Sequence, residues 1–477
     1  MLLVGGGRLA AALLSLISIR AVTTFLTPEQ YGVLALLVAI QMFCGLFLIN
    51  PVGQHINLHT HAWWDEGTLM ERLKQYRLYV FSVSIIGGLA VFCMVKQQAI
   101  EQLLWTSVAM FAAVVAGTWN ATLIPMLNML GFRDSSVLWS IVTILIGLVC
   151  GLIFVMLWPS ATAWFAGQAV GMGIGALGAR FILSQQAIRV CHAQESCYLI
   201  DRRTVLSYCL PLALATGLMW LQLSGYRFLI KDYWGLAQLG FMAVGLQLAG
   251  QISALAESLA TQFLYPLFYR RVSAHEEHDA VVFAFSDLLN TLVPVYFVLT
   301  GLIVLSAPYL LKLLVASQFQ DAIAFVMLGA GIELCRVLGN LLSNAAHIRR
   351  KTKSLALPYA AGAVTSLILI FLAGLWQWEM LWVGVALISG AVAMFLVMLI
   401  SMYRQVKFRL DVVRCFIGAA IMLTMMLLVV WMPIVDSWEA AIGCLIGAAT
   451  LAAAVVVALL WKNPATLRLL NVQLRKN

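Results

Sequence analysis

Fourteen apolar stretches of roughly twenty residues follow one another along the chain, and most of the charged residues collect in the short joints between them. They run at 3–26, 31–52, 78–95, 103–126, 136–158, 161–184, 204–228, 236–264, 281–305, 320–346, 355–376, 380–402, 413–432 and 438–461. A helix needs about 20 mostly apolar residues to cross a bilayer. The expected fold class is therefore all-α, a polytopic membrane protein of about fourteen transmembrane helices. Composition agrees: 63% of the 477 residues are hydrophobic and only 10% are charged, against about 25% charged in soluble domains.

Two of these stretches share a pattern with two others. Near the N-terminus, Arg20 closes one apolar run and Tyr31-Gly32 opens the next, with Pro28-Glu29-Gln30 read as the turn. Near the middle, Arg227 closes a run, a patch with Lys231, Asp232 and Gly235 is read as the turn, and Leu239-Gly240 opens the next. Arginine to glycine is 12 positions in the first copy and 13 in the second. A repeat at about two hundred residues inside an apolar chain suggests two homologous halves of a transporter.

Basic residues orient the chain. With the N-terminus inside, 23 of the 29 Lys and Arg fall in inner segments, including Arg72, Lys74 and Arg77, Arg270 and Arg271, and Arg349 to Lys353. Only Lys96, Lys231 and Lys312 fall outside, and Arg20, Arg227 and Arg336 lie within spans. The split places both termini in the cytoplasm and requires an even number of spans. It also accounts for the net charge of +9 without a nucleic-acid partner. The first apolar run shows no cleavage site and is read as an uncleaved span. Of the nine cysteines none lies in an outer loop, so no disulfide framework is expected.

Polar groups inside the membrane mark candidate function. In the tenth stretch Glu333, Arg336, Asn340, Asn344 and His347 are spaced 3, 4, 4 and 3 and share one helix face. An arginine at mid-span costs about 2.5–3.5 kcal/mol on insertion scales, so the stripe is expected to face a polar helix or a transport path. The bland alternative is a Glu333–Arg336 pair that only neutralises itself. The eighth stretch carries Gln247, Gln251, Ser258 and Gln262, with Glu257 beside them; such amides bind sugar hydroxyls or join helices. The fourth carries Thr118, Asn120 and Thr122 ahead of Pro125. Gly167, Gly171 and Gly175 share a face of the sixth stretch and permit close helix contact. His55, His59 and His61 are read as interfacial rather than metal-binding. No nucleophile elbow, phosphate loop, HExxH or paired-cysteine zinc site is present, and no outer loop is long enough to hold catalytic groups. The chain is therefore not expected to be an enzyme, and neither a cofactor nor a metal is expected.

The sequence resembles the Wzx-type polysaccharide-unit (O-antigen and exopolysaccharide) flippases of the multidrug/oligosaccharidyl-lipid/polysaccharide (MOP) superfamily. The resemblance rests on Arg20 with Leu26-Thr27-Pro28-Glu29-Gln30-Tyr31-Gly32, on Tyr226-Arg227 with Leu239-Gly240-Phe241, Gly245 and Gln247-Leu248-Ala249, on Pro211, on Lys351-Thr352-Lys353 and on the 14-span plan. It implies two pseudo-symmetric six-helix lobes, 1–190 and 191–410, followed by two additional helices and a cytoplasmic tail over 411–477. It also implies alternating-access movement of an undecaprenyl-pyrophosphate-linked oligosaccharide from the cytoplasmic to the periplasmic leaflet of the bacterial inner membrane. Arg20, Arg227 and Arg336, with Asn340, Asn344, Gln247 and Gln251, then become the substrate-binding residues, because guanidinium suits a diphosphate. Glu333 and Glu257 become the ion-coupling residues, with a proton or sodium gradient as the drive. The expected partners are the lipid-linked glycan, the bilayer, a polysaccharide polymerase and a chain-length regulator, with the transporter itself a monomer. A MATE-type cation-coupled multidrug exporter, a lipid II flippase and, as an enzyme, a membrane polysaccharide polymerase or ligase are the rivals. The local alternative for the arginines pairs Arg336 with Glu333, Arg227 with Asp232 and Arg20 with Glu29.

The topology has a direct test. In a cysteine-free background, Glu29→Cys should react with an impermeant maleimide from outside intact cells, and Arg350→Cys only after permeabilisation. Reaction of both from the same side overturns the orientation.

Overall fold

The helices begin and end where capping chemistry and one glycine dictate. Thr27 has extended backbone and its hydroxyl accepts from the Gln30 amide, while Pro28 occupies the first helical turn. Proline is favoured there because its missing N–H would have no partner. Pro28, Glu29 and Gln30 therefore start a helix instead of forming the expected turn. In the second copy Lys231 and Asp232 are still helical, and the break is at Gly235 alone (φ 85, ψ 176). That backbone conformation is essentially confined to glycine.

The computed structural model describes residues 2–94, 100–190, 202–274, 278–349, 351–433, 435, 437–461 and 463–474. Lys96, Arg350 and the linker residues 191–201, with Cys191 and Cys197, lie outside them. In order the helices are α1 Leu2–Phe25, α2 Pro28–Met42, α3 Asn50–Asp65, α4 Leu69–Gln75, α5 Arg77–Met94, α6 Ile100–Met129, α7 Arg133–Leu157, α8 Ala161–Val190, α9 Arg202–Trp220, α10 Tyr226–Phe263, α11 Tyr265–Ala274, α12 His278–Leu314, α13 Ile323–Ile348, α14 Ala356–Leu375, α15 Met380–Gln405, α16 Val412–Leu428, α17 Trp438–Leu460 and α18 Pro464–Leu474. π-helical turns, Phe43–Ile49 and Leu221–Gly225, join α2 to α3 and α9 to α10. No strand occurs among the described residues.

Among the described residues twelve helical runs are long and apolar enough to cross a membrane, and a shorter apolar run, Ala10–Phe25, lies within α1. The run Val205–Phe263 has 59 residues, about three times what one crossing needs, and Gly235 divides it. Those two halves together with α1 account for the fourteen apolar stretches.

Packing divides the chain into two compact units, Met1–Gly240 and Phe241–Asn477. This seam falls inside α10, whereas the lobes implied by the resemblance divide at 190/191; one division follows packing, the other similarity.

In the first unit several helix pairs meet backbone to backbone. A Cβ on Gly32 would fall under 3.0 Å from the carbonyl of Leu236, and one on Gly240 equally close to the carbonyl of Pro28. Each glycine of the repeat thus lies against the residue four positions before its counterpart. The glycine face of α8 behaves as expected: a Cβ on Gly167 or Gly171 would come under 3.0 Å from the backbone of Gly151 or Gly147 on α7, and one on Gly175 from Thr143. The amphipathic pattern after Trp63 folds as α4, with Leu69 and Leu73 buried and the Arg72 guanidinium 5.0 Å over the Trp63 ring. His59 stacks on the same ring at 5.3 Å.

In the second unit α12, α13 and α15 share a core of Phe285, Leu288, Leu338, Leu341, Met394 and Met398. The two additional helices, α16 and α17, pack on α12 through Met425, Ala448 and Ala452; only 11% of either span is buried, so both are peripheral. The segment after α17 carries helix α18. Arg468 forks onto Asp287 (Nη2–Oδ1 2.6 Å, Nε–Oδ2 3.1 Å), and Arg271 takes the same carboxylate at 2.8 Å. Thr466 bonds Thr291 at 3.2 Å and Asn463 donates to the Asn290 carbonyl. Asp287 is 3% exposed.

Overpacking a tight helix contact costs about 1–3 kcal/mol. Gly171→Val should therefore lower the melting temperature in detergent by several degrees. Gly443→Val, where an added Cβ has nothing within 4 Å, should leave it unchanged.

Candidate functional site

The polar stripe of α13 meets α10 and α11 inside the second unit. Arg336 donates from Nε to Glu333 Oε2 at 2.7 Å and from Nη1 to Glu257 Oε2 at 3.0 Å. The other Glu257 oxygen accepts from Asn340 Nδ2 at 2.8 Å. One guanidinium is thus shared by two carboxylates, one a turn away on its own helix and one 79 residues away. All three charged side chains are largely buried, at 22% exposure for Arg336, 21% for Glu257 and 16% for Glu333.

One turn further along, Asn344 accepts from the Tyr269 hydroxyl at 2.8 Å and donates to Tyr265 at 3.3 Å. Burial pushes the Tyr265 hydroxyl up to about 12, so it stays a neutral hydroxyl at physiological pH. Asn344 therefore ties α13 to α11, while Asn340 belongs to the charged cluster. Gln247 is exposed and Gln251 half-buried, both on α10 ahead of Glu257. His347, at the end of the stripe, is exposed.

Two carboxylates and one guanidinium, all ionised, leave an excess negative charge. Desolvation makes such an excess costly, and a proton or small cation relieves it. The sequence pointed to all four of these residues. It read the Glu333–Arg336 pair from spacing, but the sharing of Arg336 with Glu257 is a contact between helices that no spacing rule reveals.

The remaining arginines lie in the first unit. Arg20 is half-buried near the end of α1, where Thr24 Oγ1 returns to its carbonyl at 2.8 Å. Arg227 donates from Nη1 to the Ala35 carbonyl of α2 at 2.9 Å. One turn on, Trp220 Nε1 donates to the Ala39 carbonyl at 2.9 Å. Asp232 pairs with Lys231 at 3.4 Å. Arg227 thus holds an adjacent helix backbone, which the local-pairing alternative did not foresee.

The first unit also holds a cavity of about 530 Å³ between the α2–α3 run, α6, α7 and α8. Its polar lining is uncharged: Gln41, Asn50, Asn57, Thr118, Asn120, Thr122 and Thr143. Asn120 Nδ2 is anchored on Thr143 (3.0 Å) and on the Met172 carbonyl (3.1 Å), and Gln41 Nε2 on the Ala113 carbonyl (3.4 Å). The π-helical turn contributes Gly45, Leu46 and Ile49 to the wall. Thr118, Asn120 and Thr122 were visible in the sequence. Asn50 and Asn57 were missed, although with Gln54 they follow a 4-and-3 spacing that marks one helix face.

With this geometry in view, likeness to known structures identifies the fold. A lipid II flippase, MurJ, in an inward closed conformation matches over 95% of this chain and 97% of its own, with TM-score 0.59 and 11% identity. A multidrug-resistance MATE family transporter of the MOP superfamily matches in its inward-facing conformation over 84% and 99%, with TM-score 0.57 and 14% identity. An outward-facing conformation of a MATE family transporter matches over 91% and 99%, with TM-score 0.54 and 12% identity. This chain shares its fold with that lipid II flippase and those MATE family transporters. Neither a family model nor a curated protein matches the sequence.

Removing Arg336 leaves two buried carboxylates facing each other. Arg336→Ala should cost roughly 1–3 kcal/mol, between the surface and fully buried limits for an ion pair. Adding Glu257→Gln and Glu333→Gln should restore most of it. Thermal melting of the purified proteins measures both.

Proposed function

We propose that the chain is a flippase of the Wzx type. It moves an undecaprenyl-pyrophosphate-linked oligosaccharide from the cytoplasmic to the periplasmic leaflet of the bacterial inner membrane by alternating access, for surface polysaccharide synthesis. The observation that carries this reading is the cavity of about 530 Å³, whose largely apolar wall carries amides and hydroxyls but no charged or aromatic residue. Such a surface offers hydrogen bonds to a polyhydroxylated ligand. The fold shared with a lipid II flippase supports the same class of lipid-linked cargo. In this reading Arg20, Arg227 and Arg336 serve the pyrophosphate, and Asn340, Asn344, Gln247 and Gln251 assist. The protein acts as a monomer with both termini in the cytoplasm and delivers its product to a polysaccharide polymerase and its chain-length regulator.

Glu257 and Glu333 supply the coupling to a proton or sodium gradient, because protonating one carboxylate releases half of the hold on Arg336. That same pair favours a second reading, a MATE-type exporter of organic cations, for which acidic groups would bind cargo and ion in turn.

Deletion of the gene separates the two. A flippase deletion should accumulate an undecaprenyl-pyrophosphate-linked oligosaccharide on the inner leaflet and leave cationic dye efflux unchanged. Loss of dye efflux with no lipid-linked intermediate would make the exporter the correct reading. Within the flippase reading, Arg336→Lys should lower surface polysaccharide severely at normal protein levels, because lysine keeps the charge but lacks the fork. Recovery of surface polysaccharide in Arg336→Ala combined with Glu257→Ala and Glu333→Ala would reduce Arg336 to a structural role.

A further inference from the structure

A second cavity, of about 520 Å³, opens on the first unit between α4–α5, α6 and α8. It differs from the first cavity in its polar members, which are charged. The wall is apolar, with Phe81, Phe111 and Val115 among its members, and Lys74, Arg77 and Arg180 are the charged residues that line it. Phe81 and Phe111 meet edge-to-face at 5.2 Å, which fixes one side of the trough. No carboxylate lines the cavity, and all three cations are exposed. They come from the start of α5, the preceding α4 and the second half of α8, segments that the charge distribution assigns to the cytoplasmic side. Anionic phospholipid is concentrated in that leaflet, and basic pockets between transmembrane helices are suited to its headgroups.

We propose that this cavity is a binding site for an anionic phospholipid of the bilayer, with the headgroup phosphate at Lys74, Arg77 and Arg180 and one acyl chain along Phe81, Phe111 and Val115. A free anion would leave the apolar trough unused. A sugar would find neither amide nor hydroxyl in the wall. A neutral lipid would leave three cations without a counter-charge. The volume lies within the range of about 300–1,000 Å³ typical of small-molecule sites, enough for a headgroup and part of one chain. The site is independent of which cargo the transporter carries.

Native mass spectrometry of the purified full-length protein tests the site directly. Phosphatidylglycerol and phosphatidylcholine with identical chains are titrated in separate samples. The protein should retain one phosphatidylglycerol at about a hundredfold lower concentration than phosphatidylcholine, at roughly fivefold per cation. The combined variant Lys74→Gln, Arg77→Gln, Arg180→Gln changes only exposed side chains, and it should abolish the preference. Val115→Trp keeps every charge but fills the trough, and it should also weaken retention at least tenfold while the gel-filtration profile stays unchanged. Equal retention of the two lipids, or undiminished preference in the glutamine variant, overturns the proposal. So does displacement of phosphatidylglycerol by equimolar polyprenyl diphosphate, which would assign the site to the lipid carrier of a glycan.

Discussion

Two helix backbones meet at Gly32 and Gly240 with no side chain between them. Within a bilayer, apolar side chains gain nothing by leaving lipid for protein, so association rests on close packing and on hydrogen bonds. Glycine supplies the packing by letting carbonyl and Cα surfaces touch. The pattern repeats where α8 lies on α7, with Gly167 and Gly171 against Gly151 and Gly147. Hydrogen bonds add direction to it: Asn120 binds α6 to α7 and α8 together, and Arg227 and Trp220 hold successive carbonyls of α2. The first unit therefore joins close backbone contacts to a side-chain core around Trp63, Leu123 and Leu127.

The second unit adds a charged cluster to such packing. Its aromatic and methionine-rich core resembles that of a soluble bundle, and the cluster lies beside it. A guanidinium held by Glu333 and Glu257 is expensive to bury and is tolerated because every member has a hydrogen-bonded partner. Asn340 completes the shell of Glu257. The cluster joins α13 to α10 by charge, whereas Asn344 joins α13 to α11 by neutral hydrogen bonds to two tyrosines. One helix face thus carries two unlike fastenings, one ionic and one made of neutral hydrogen bonds.

Much of the fold was legible in the sequence because span length and apolarity translate directly into helices. The α13 stripe was legible because its residues are local in sequence. Pro28 was misread because a proline marks a turn and a helix start equally well, and the cap on Thr27 decides between them. The patch around Lys231 was misread because charged residues suggest a loop, yet only Gly235 has a backbone the helix cannot adopt. Helix α18 was hidden because it is short and its stability comes from distant partners. The sharing of Arg336 by two helices, and the cavity formed by four elements, depend on contacts across the chain and leave no local mark.

Asp287 lies between Arg271 and Arg468, and its second partner is carried on the last described helix. Ribosomal synthesis proceeds from the N-terminus, so α12 enters the membrane with this acid facing Arg271 alone. The bidentate contact forms only after every other described helix has emerged. Closure of α18 over Asp287 is thus a late event in biogenesis, and it fastens the C-terminal end of the chain to a helix laid down long before it.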